Sequence, residues 1–122
     1  MNKYQAMYKW FNDLGIPFYV DTNVPDMKEI EYPYGTDQNV IGNWTDQVSI
    51  TVRLYYRTTS EKEINAMVQK LTDKLKENNQ VICDDGMLWV NPGAPYCQAV
   101  SDEEDDTIRS RYINLLVDYF TN

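Results

Sequence analysis

An α+β fold, a mainly antiparallel sheet with two principal helices packed on it in a single domain, is what the amino-acid sequence predicts. Two segments carry apolar residues at helical spacing, and the richest runs of Val, Ile, Leu and Tyr alternate with polar residues at strand period. Asp-Asp-Gly and Asn-Pro-Gly separate the later strands, which points to hairpins in a meander. A chain of 122 residues that is 43% hydrophobic can build one core, so one domain is expected.

The first helix is expected over Asn2 to Asp13, where Tyr4, Met7, Tyr8 and Phe11 follow an i, i+3, i+4, i+7 stripe and Gly15 and Pro17 close the segment. So short a helix persists only when its stripe packs on something, with Trp10 and Phe11 its largest apolar groups. From Ile16 to Trp44 the text is extended and broken by prolines and glycines, with FYV, EIEYPY and NVIG as short candidate strands. Pro33 lacks a ladder donor, so EIEYPY should lie at a sheet edge or end at Tyr32.

VSITVRLYYR is the strongest strand. Val48, Ile50, Val52, Leu54 and Tyr56 form one face, and Ser49, Thr51, Arg53, Tyr55 and Arg57 the other. Its length exceeds the usual five or six residues, so its far end is expected to project as an arm that a neighbour can meet. Ser60 and Glu63 read as a capping box for the second helix, whose Ile64, Met67, Val68, Leu71 and Leu75 turn inward before Asn78. The polar face of that helix reads as solvated surface.

The remainder holds VIC, a turn at Asp84-Asp85-Gly86, MLWVN, a turn at Asn91-Pro92-Gly93, YCQAV, an acidic loop and RSRYINLLVDYF. In the last strand Ile113, Leu115, Val117 and Tyr119 share a face. Tyr112, Leu116 and Phe120 make the opposite face apolar as well, so both are expected to be covered. Val52, Leu54, Leu71, Leu75, Leu115 and Val117 should be buried together.

Composition narrows the function. Eleven basic against nineteen acidic residues give a net charge of −8, which opposes affinity for nucleic acid while suiting the wall of a passage through which DNA slides. No segment approaches a membrane span, and the opening lacks a signal peptide's basic end and apolar stretch, so a cytoplasmic location is expected. The absence of histidine removes the usual general base and the Cys/His zinc site, and no phosphate-cradling glycine motif occurs. No catalytic, cofactor-binding or metal residue is therefore expected. Cys83 and Cys97 read as two reduced thiols, with a disulfide across the intervening turn still open. Asp84 and Asp85 could be paired carboxylates, yet their turn explains them more simply.

The run Asp102, Glu103, Glu104, Asp105 and Asp106 lacks the ligand spacing of a calcium hand loop and reads as a solvated loop awaiting a cationic partner. Arg109 and Arg111 follow it and could pair with the run of a neighbouring copy. With Arg53, Tyr55 and Arg57 on the long strand, these are the candidate interface residues. The ten tyrosines suit protein interfaces or the margins of a core equally well.

The succession YKWFNDLGIPFYV, YPYGT, VSITVRLYYRT, SEKEINAMVQKLTDKL, DDGMLWVNPGAPYCQAV and RSRYINLLVDYF resembles tail terminator, or tail completion, proteins of long-tailed bacteriophages and prophages over nearly the whole chain. The resemblance lies in layout and segment character, the family having no catalytic signature. It implies a virion protein that forms a ring, usually a hexamer, capping the tail tube and joining it to the head connector or stopper protein. DNA then passes through the lumen without specific binding, and no membrane is involved. The correspondence is loosest over Ile16 to Trp44. Another neck or tail-assembly protein is the nearest alternative, and a small ligand-binding or enzymatic α+β domain is the alternative of a different class.

Overall fold

A computed structural model of the chain describes residues 1–26, 28–38, 47–101 and 105–121. Within them two helices and six strands form a mixed α+β arrangement around one sheet, mostly antiparallel. The helices are α1 (Lys3–Asn12) and α2 (Lys62–Glu77), and the strands are β1 (Phe18–Val20), β2 (Tyr34–Asp37), β3 (Gln47–Arg57), β4 (Gln80–Cys83), β5 (Gly86–Ser101) and β6 (Ile108–Thr121). Their order across the sheet is β1-β2-β3-β6-β5-β4, with β1 and β2 parallel and every other pair antiparallel.

β3 and β6 form the centre because both alternate strictly. Ile50, Val52 and Leu54 on β3, and Ile113, Leu115 and Val117 on β6, are almost wholly buried on one face, here called inner. These residues join Leu71 and Leu75 of α2 and Phe11 of α1 in one buried cluster, which contains all six residues expected to be buried together. β3 does not project beyond the sheet as an arm, since β6 pairs with it from Gln47↔Asp118 to Arg57↔Ile108. Among the described residues the opposite, outer face is covered only in part: Tyr34, Thr36, Ile108 and Ser110, which pair with outer residues of β3, are buried. Tyr112 and Leu116 are half-buried there, and Phe120 is exposed.

α1 buries Met7 and Phe11 of the expected stripe but is rotated from it. Ala6, Met7, Trp10 and Phe11 are buried with Lys3, whereas Tyr4 and Tyr8 remain outside. Trp10 decides this rotation, because its indole N–H donates to the Asn78 carbonyl at 2.9 Å and its ring meets Phe11 edge-on. Asn2 and Gln5 form a reciprocal capping box at the start of α1. The box expected at Ser60 and Glu63 does not form. Ser60 Oγ instead accepts from the Lys62 N–H, and Glu61 occupies the capping position without a side-chain cap.

The expected strand over EIEYPY begins at Tyr34, after Pro33, so the proline precedes the ladder instead of ending it. Gly35 lies directly beneath the Phe18 ring, where a Cβ would come within 2.4 Å of it. The candidate strand NVIG lies outside the described residues. Asn91-Pro92-Gly93 does not turn. β5 continues through it as an irregularity in which Gly93 to Tyr96 oppose Asn114 alone, between Pro92↔Leu115 and Cys97↔Ile113. Asn114 secures this stretch by donating its side-chain amide to the Pro95 carbonyl at 2.9 Å.

α1 touches β1, β4 and β5, while α2 touches β3, β5 and β6. A flat sheet of this width would measure about 24 Å, against roughly 10 Å for a helix. One helix can therefore reach β1 and β4, the two margins, only because the sheet curls around it. The outer face is the convex one.

Candidate assembly surfaces

The outer end of β3 gathers aromatic rings and guanidinium groups. Tyr55 lies opposite Tyr34 in the ladder, so their rings stack with centroids 4.9 Å apart. Tyr32 meets Tyr34 at 5.3 Å, and the Arg57 guanidinium sits 4.7 Å from the centre of the Tyr32 ring. Arg53, opposite Tyr112 in register, lies 4.8 Å above that ring. Burial pushes the Tyr34 hydroxyl up to about 12 and raises that of Tyr55, so both phenols stay neutral at physiological pH. The positive charge of this surface comes from Arg53 and Arg57. Rigid tyrosines beside arginines are the side chains most enriched where proteins bind one another.

Of the described acidic residues, Asp105 enters this surface. Asp105 pairs with Arg57 at 3.2 Å, and the Thr107 hydroxyl and N–H donate to its carboxylate, which holds that group below its usual range. Asp106 is exposed, and its carbonyl accepts from Arg109 at 2.7 Å. Asp102, Glu103 and Glu104 lie outside the described residues.

Arg109 and Arg111, which could pair with the acidic run of a neighbouring copy, are engaged within the chain. Both hold Glu61: Arg109 Nε lies 2.9 Å from Glu61 Oε1, and Arg111 donates to Glu61 Oε2 and, at 3.1 Å, to Asn65. The Arg111 hydrogen bond, aided by both positive charges, holds the Glu61 carboxyl below its usual range. The signal was present in the sequence. Arg109 and Arg111 are in phase with Ile113 and Leu115, which puts them on the inner side of β6 under the start of α2. A hollow of about 280 Å³ beside them is lined by Glu61 and Asp106 as well as by both arginines, so its charges balance.

Comparison of the chain with family models, with curated proteins and with solved structures returns no match.

The remaining reactive groups are dispersed. Cys83 and Cys97 are unpaired thiols, raised in pKa by burial, one in the core and one packed against it. Among the described residues no three His, Cys, Asp or Glu side chains are grouped to hold a metal, and no helix is long and apolar enough to cross a membrane. Asp85 receives the buried Lys3 ammonium at 3.3 Å, which ties the β4–β5 turn to the start of α1. Asp37, at the end of β2, is 3% exposed, and its Oδ1 has no hydrogen-bond partner among the described residues. Burial, aided by the Asp21 charge, pushes its carboxyl up to about 6. Neither Asp37 nor the exposure of Ile82 and Trp89 was expected from the sequence, since each obeys its local strand pattern.

Proposed function

We propose that this chain is a structural assembly protein, a ring-forming tail terminator that caps the tail tube of a long-tailed bacteriophage or prophage and joins it to the head connector. The observation that carries this reading is the group of aromatic and arginine side chains on the outer face of the sheet. Arg53, Tyr55 and Tyr112 are half-buried there, while Trp89 and Phe120 stay exposed. A face of that composition suits contact with other protein subunits. In this reading the chain is a single domain whose two helices pack on the inner face, leaving the outer face to neighbours or to the tube. The resemblance of the segment order to tail terminators supplies the kind of assembly, and a net charge of −8 suits a lumen through which DNA moves without being held.

Electron microscopy of tails assembled with and without the protein tests the reading. Tubes should end at a defined length and carry a terminal ring when it is present, and should overgrow and fail to join heads when it is absent. Terminated tubes without added ring density, or normal tails made in its absence, would refute it. A reproducible thermal shift with a nucleotide or divalent cation would favour the ligand-binding or enzymatic alternative instead.

A further inference from the structure

Asp37 carries an oxygen that no hydrogen bond satisfies among the described residues, although the side chain is 3% exposed. It closes β2 in phase with Gly35, which lies opposite the inner residue Leu54. Val52, the inner residue alongside on β3, is also apolar. From β1, Val20 is its ladder partner, and the carboxylate of Asp21, which follows, carries the same sign of charge. From β6, the buried Tyr119 hydroxyl lies within electrostatic reach of Asp37 and of Tyr4 on α1. None of these groups is a cation. Ionised in place, Asp37 would have neither water nor a counter-charge from them.

Little holds the cover over this carboxyl. β1 is three residues long, whereas β3 and β6 pair from Gln47↔Asp118 to Arg57↔Ile108. The Asp21 N–H donates to the Asp37 carbonyl at 2.9 Å and the Gly35 N–H to the Pro17 carbonyl at 2.9 Å, while the Asn12 side chain accepts from the Phe18 N–H at 3.0 Å. Lifting β1 would give Asp37 water and leave the central ladder intact. Short marginal elements of this kind open at lower cost than the whole domain.

The same margin carries rings on its outer face. Tyr34, which alternates with Gly35, lies opposite Tyr55, and its ring meets those of Tyr19 at 6.2 Å, Tyr32 at 5.3 Å and Tyr55 at 4.9 Å. Tyr19 belongs to β1, so lifting that strand removes one wall of the ring cluster.

We propose that Asp37 is a proton-operated latch for the β1–β2 margin. With a neutral carboxyl, β1 stays closed on β2 and Tyr19 stays against the Tyr34 ring. Ionisation favours an open margin in which that cluster comes apart. The closed state holds the proton more tightly, its carboxyl being raised from 3.8 to about 6, so closure is fully favoured below 3.8 and weakens as pH rises through about 6. Partners on the outer face, in the reading proposed above, would meet an ordered ring cluster more often at acid pH. That consequence rests on that reading, and the latch itself does not.

Native-state hydrogen exchange of the whole chain, followed by NMR and corrected for intrinsic base catalysis, tests the latch. The Asp21 and Gly35 amides should exchange faster than those of the β3–β6 ladder. Their opening constants should rise about ten-fold from pH 5 to pH 7. Exchange broadening of the Tyr19 and Tyr34 ring resonances should grow over the same range, and Asp37→Asn should abolish both pH dependences. Should that variant fold poorly, titration of the Asp37 carboxyl carbon in the wild type decides, with a midpoint of about 6 expected. Margin amides that exchange no faster than the central ladder, a flat wild-type profile, or ring resonances indifferent to pH would each overturn the proposal. So would a midpoint in the ordinary carboxylate range, or a pH dependence that survives in Asp37→Asn. None of these measurements involves tails, so their failure leaves the terminator reading standing. Tails that end normally without the protein would remove that reading and leave the latch.

Discussion

The inner and outer faces of the central strands are made from alternate residues of the same three segments, yet they differ in every physical respect. On the inner face Val52, Leu54, Leu88, Ile113, Leu115 and Val117 are at zero exposure and share one cluster with both helices. On the outer face Arg53, Tyr55, Tyr112 and Leu116 are half-buried, and Trp89 and Phe120 are exposed. Strand pairing is common to both and cannot account for the difference. What differs, among the described residues, is that Phe11 of α1 and Leu71 and Leu75 of α2 share a buried cluster with the inner side chains. The inner residues therefore determine whether the chain folds, and in the reading proposed above the outer ones determine what the folded chain meets.

Adjacent leucines on β6 give the sharpest test. Leu115→Ala empties a fully enclosed site and should cost about 2 to 5 kcal/mol. Leu116→Ala, one residue away on the outer face, should cost less than about 1 kcal/mol. Urea denaturation of both variants measures the contrast, and equal losses would show that the outer face is packed as tightly as the inner.

Asp37 is the exception on the inner side, a buried carboxyl whose Oδ1 has no partner among the described residues. Because its folded pKa is raised from 3.8 to about 6, the folded chain holds this proton more tightly than the unfolded one. Its contribution to stability is thus complete below the unfolded value and is lost as pH rises through about 6. At about 1.4 kcal/mol per unit, Asp37→Asn should gain up to about 3 kcal/mol at neutral pH. The variant's melting temperature should also lose the decline that the wild type shows between pH 4 and 6. A variant less stable than wild type at pH 7 would mean that the carboxylate has a stabilising partner.

Arg111 is the second polar intruder on that side, and it behaves differently because Glu61 and Asn65 satisfy it. Replacing a buried paired charge by an apolar group of similar length is often near neutral. Arg111→Met should change stability by less than about 1 kcal/mol, since the exposed Glu61 carboxylate can return to water. A loss of several kcal/mol in thermal unfolding would place the Glu61 bridge among the determinants of the fold.

Legibility in the sequence follows the same division. Wherever burial was decided by strict alternation, as in β3 and β6, residue spacing was enough to identify the inner face. It was not enough where two local rules competed. Asn91-Pro92-Gly93 has the chemistry of a turn, but a hairpin there would leave Arg109 to Ile113 of β6 paired with β3 alone, and β5 runs on instead. Tyr4 and Tyr8 fit a helical stripe as well as Ala6 and Trp10 do, and only the Trp10 bond to Asn78 decides between them. Arg109 and Arg111 carry charges that suggest solvent, although their phase along β6 places them inward. The candidate surfaces were half legible: Arg53, Tyr55 and Arg57 do share the outer face, whereas the exposure of Ile82 and Trp89 depends on tertiary packing that no local pattern records.

Arg53 should give the smallest effect on folding. Its guanidinium lies 4.8 Å from the Tyr112 ring centre while remaining half-exposed, and cation–π contacts at such sites are worth about 0.5 to 1 kcal/mol. Arg53→Ala should therefore lower stability by no more than about that amount, with Arg53→Lys recovering part of it through the retained charge. Denaturant unfolding of the isolated chain reads the folding term, and incorporation of the variant into terminated tails reads the assembly term. If the outer face serves assembly, incorporation should fall while the unfolding midpoint barely moves. A loss above about 2 kcal/mol in the isolated chain would instead make Arg53 a folding residue, and the division between the two faces would fail at the place where it is most exposed to test.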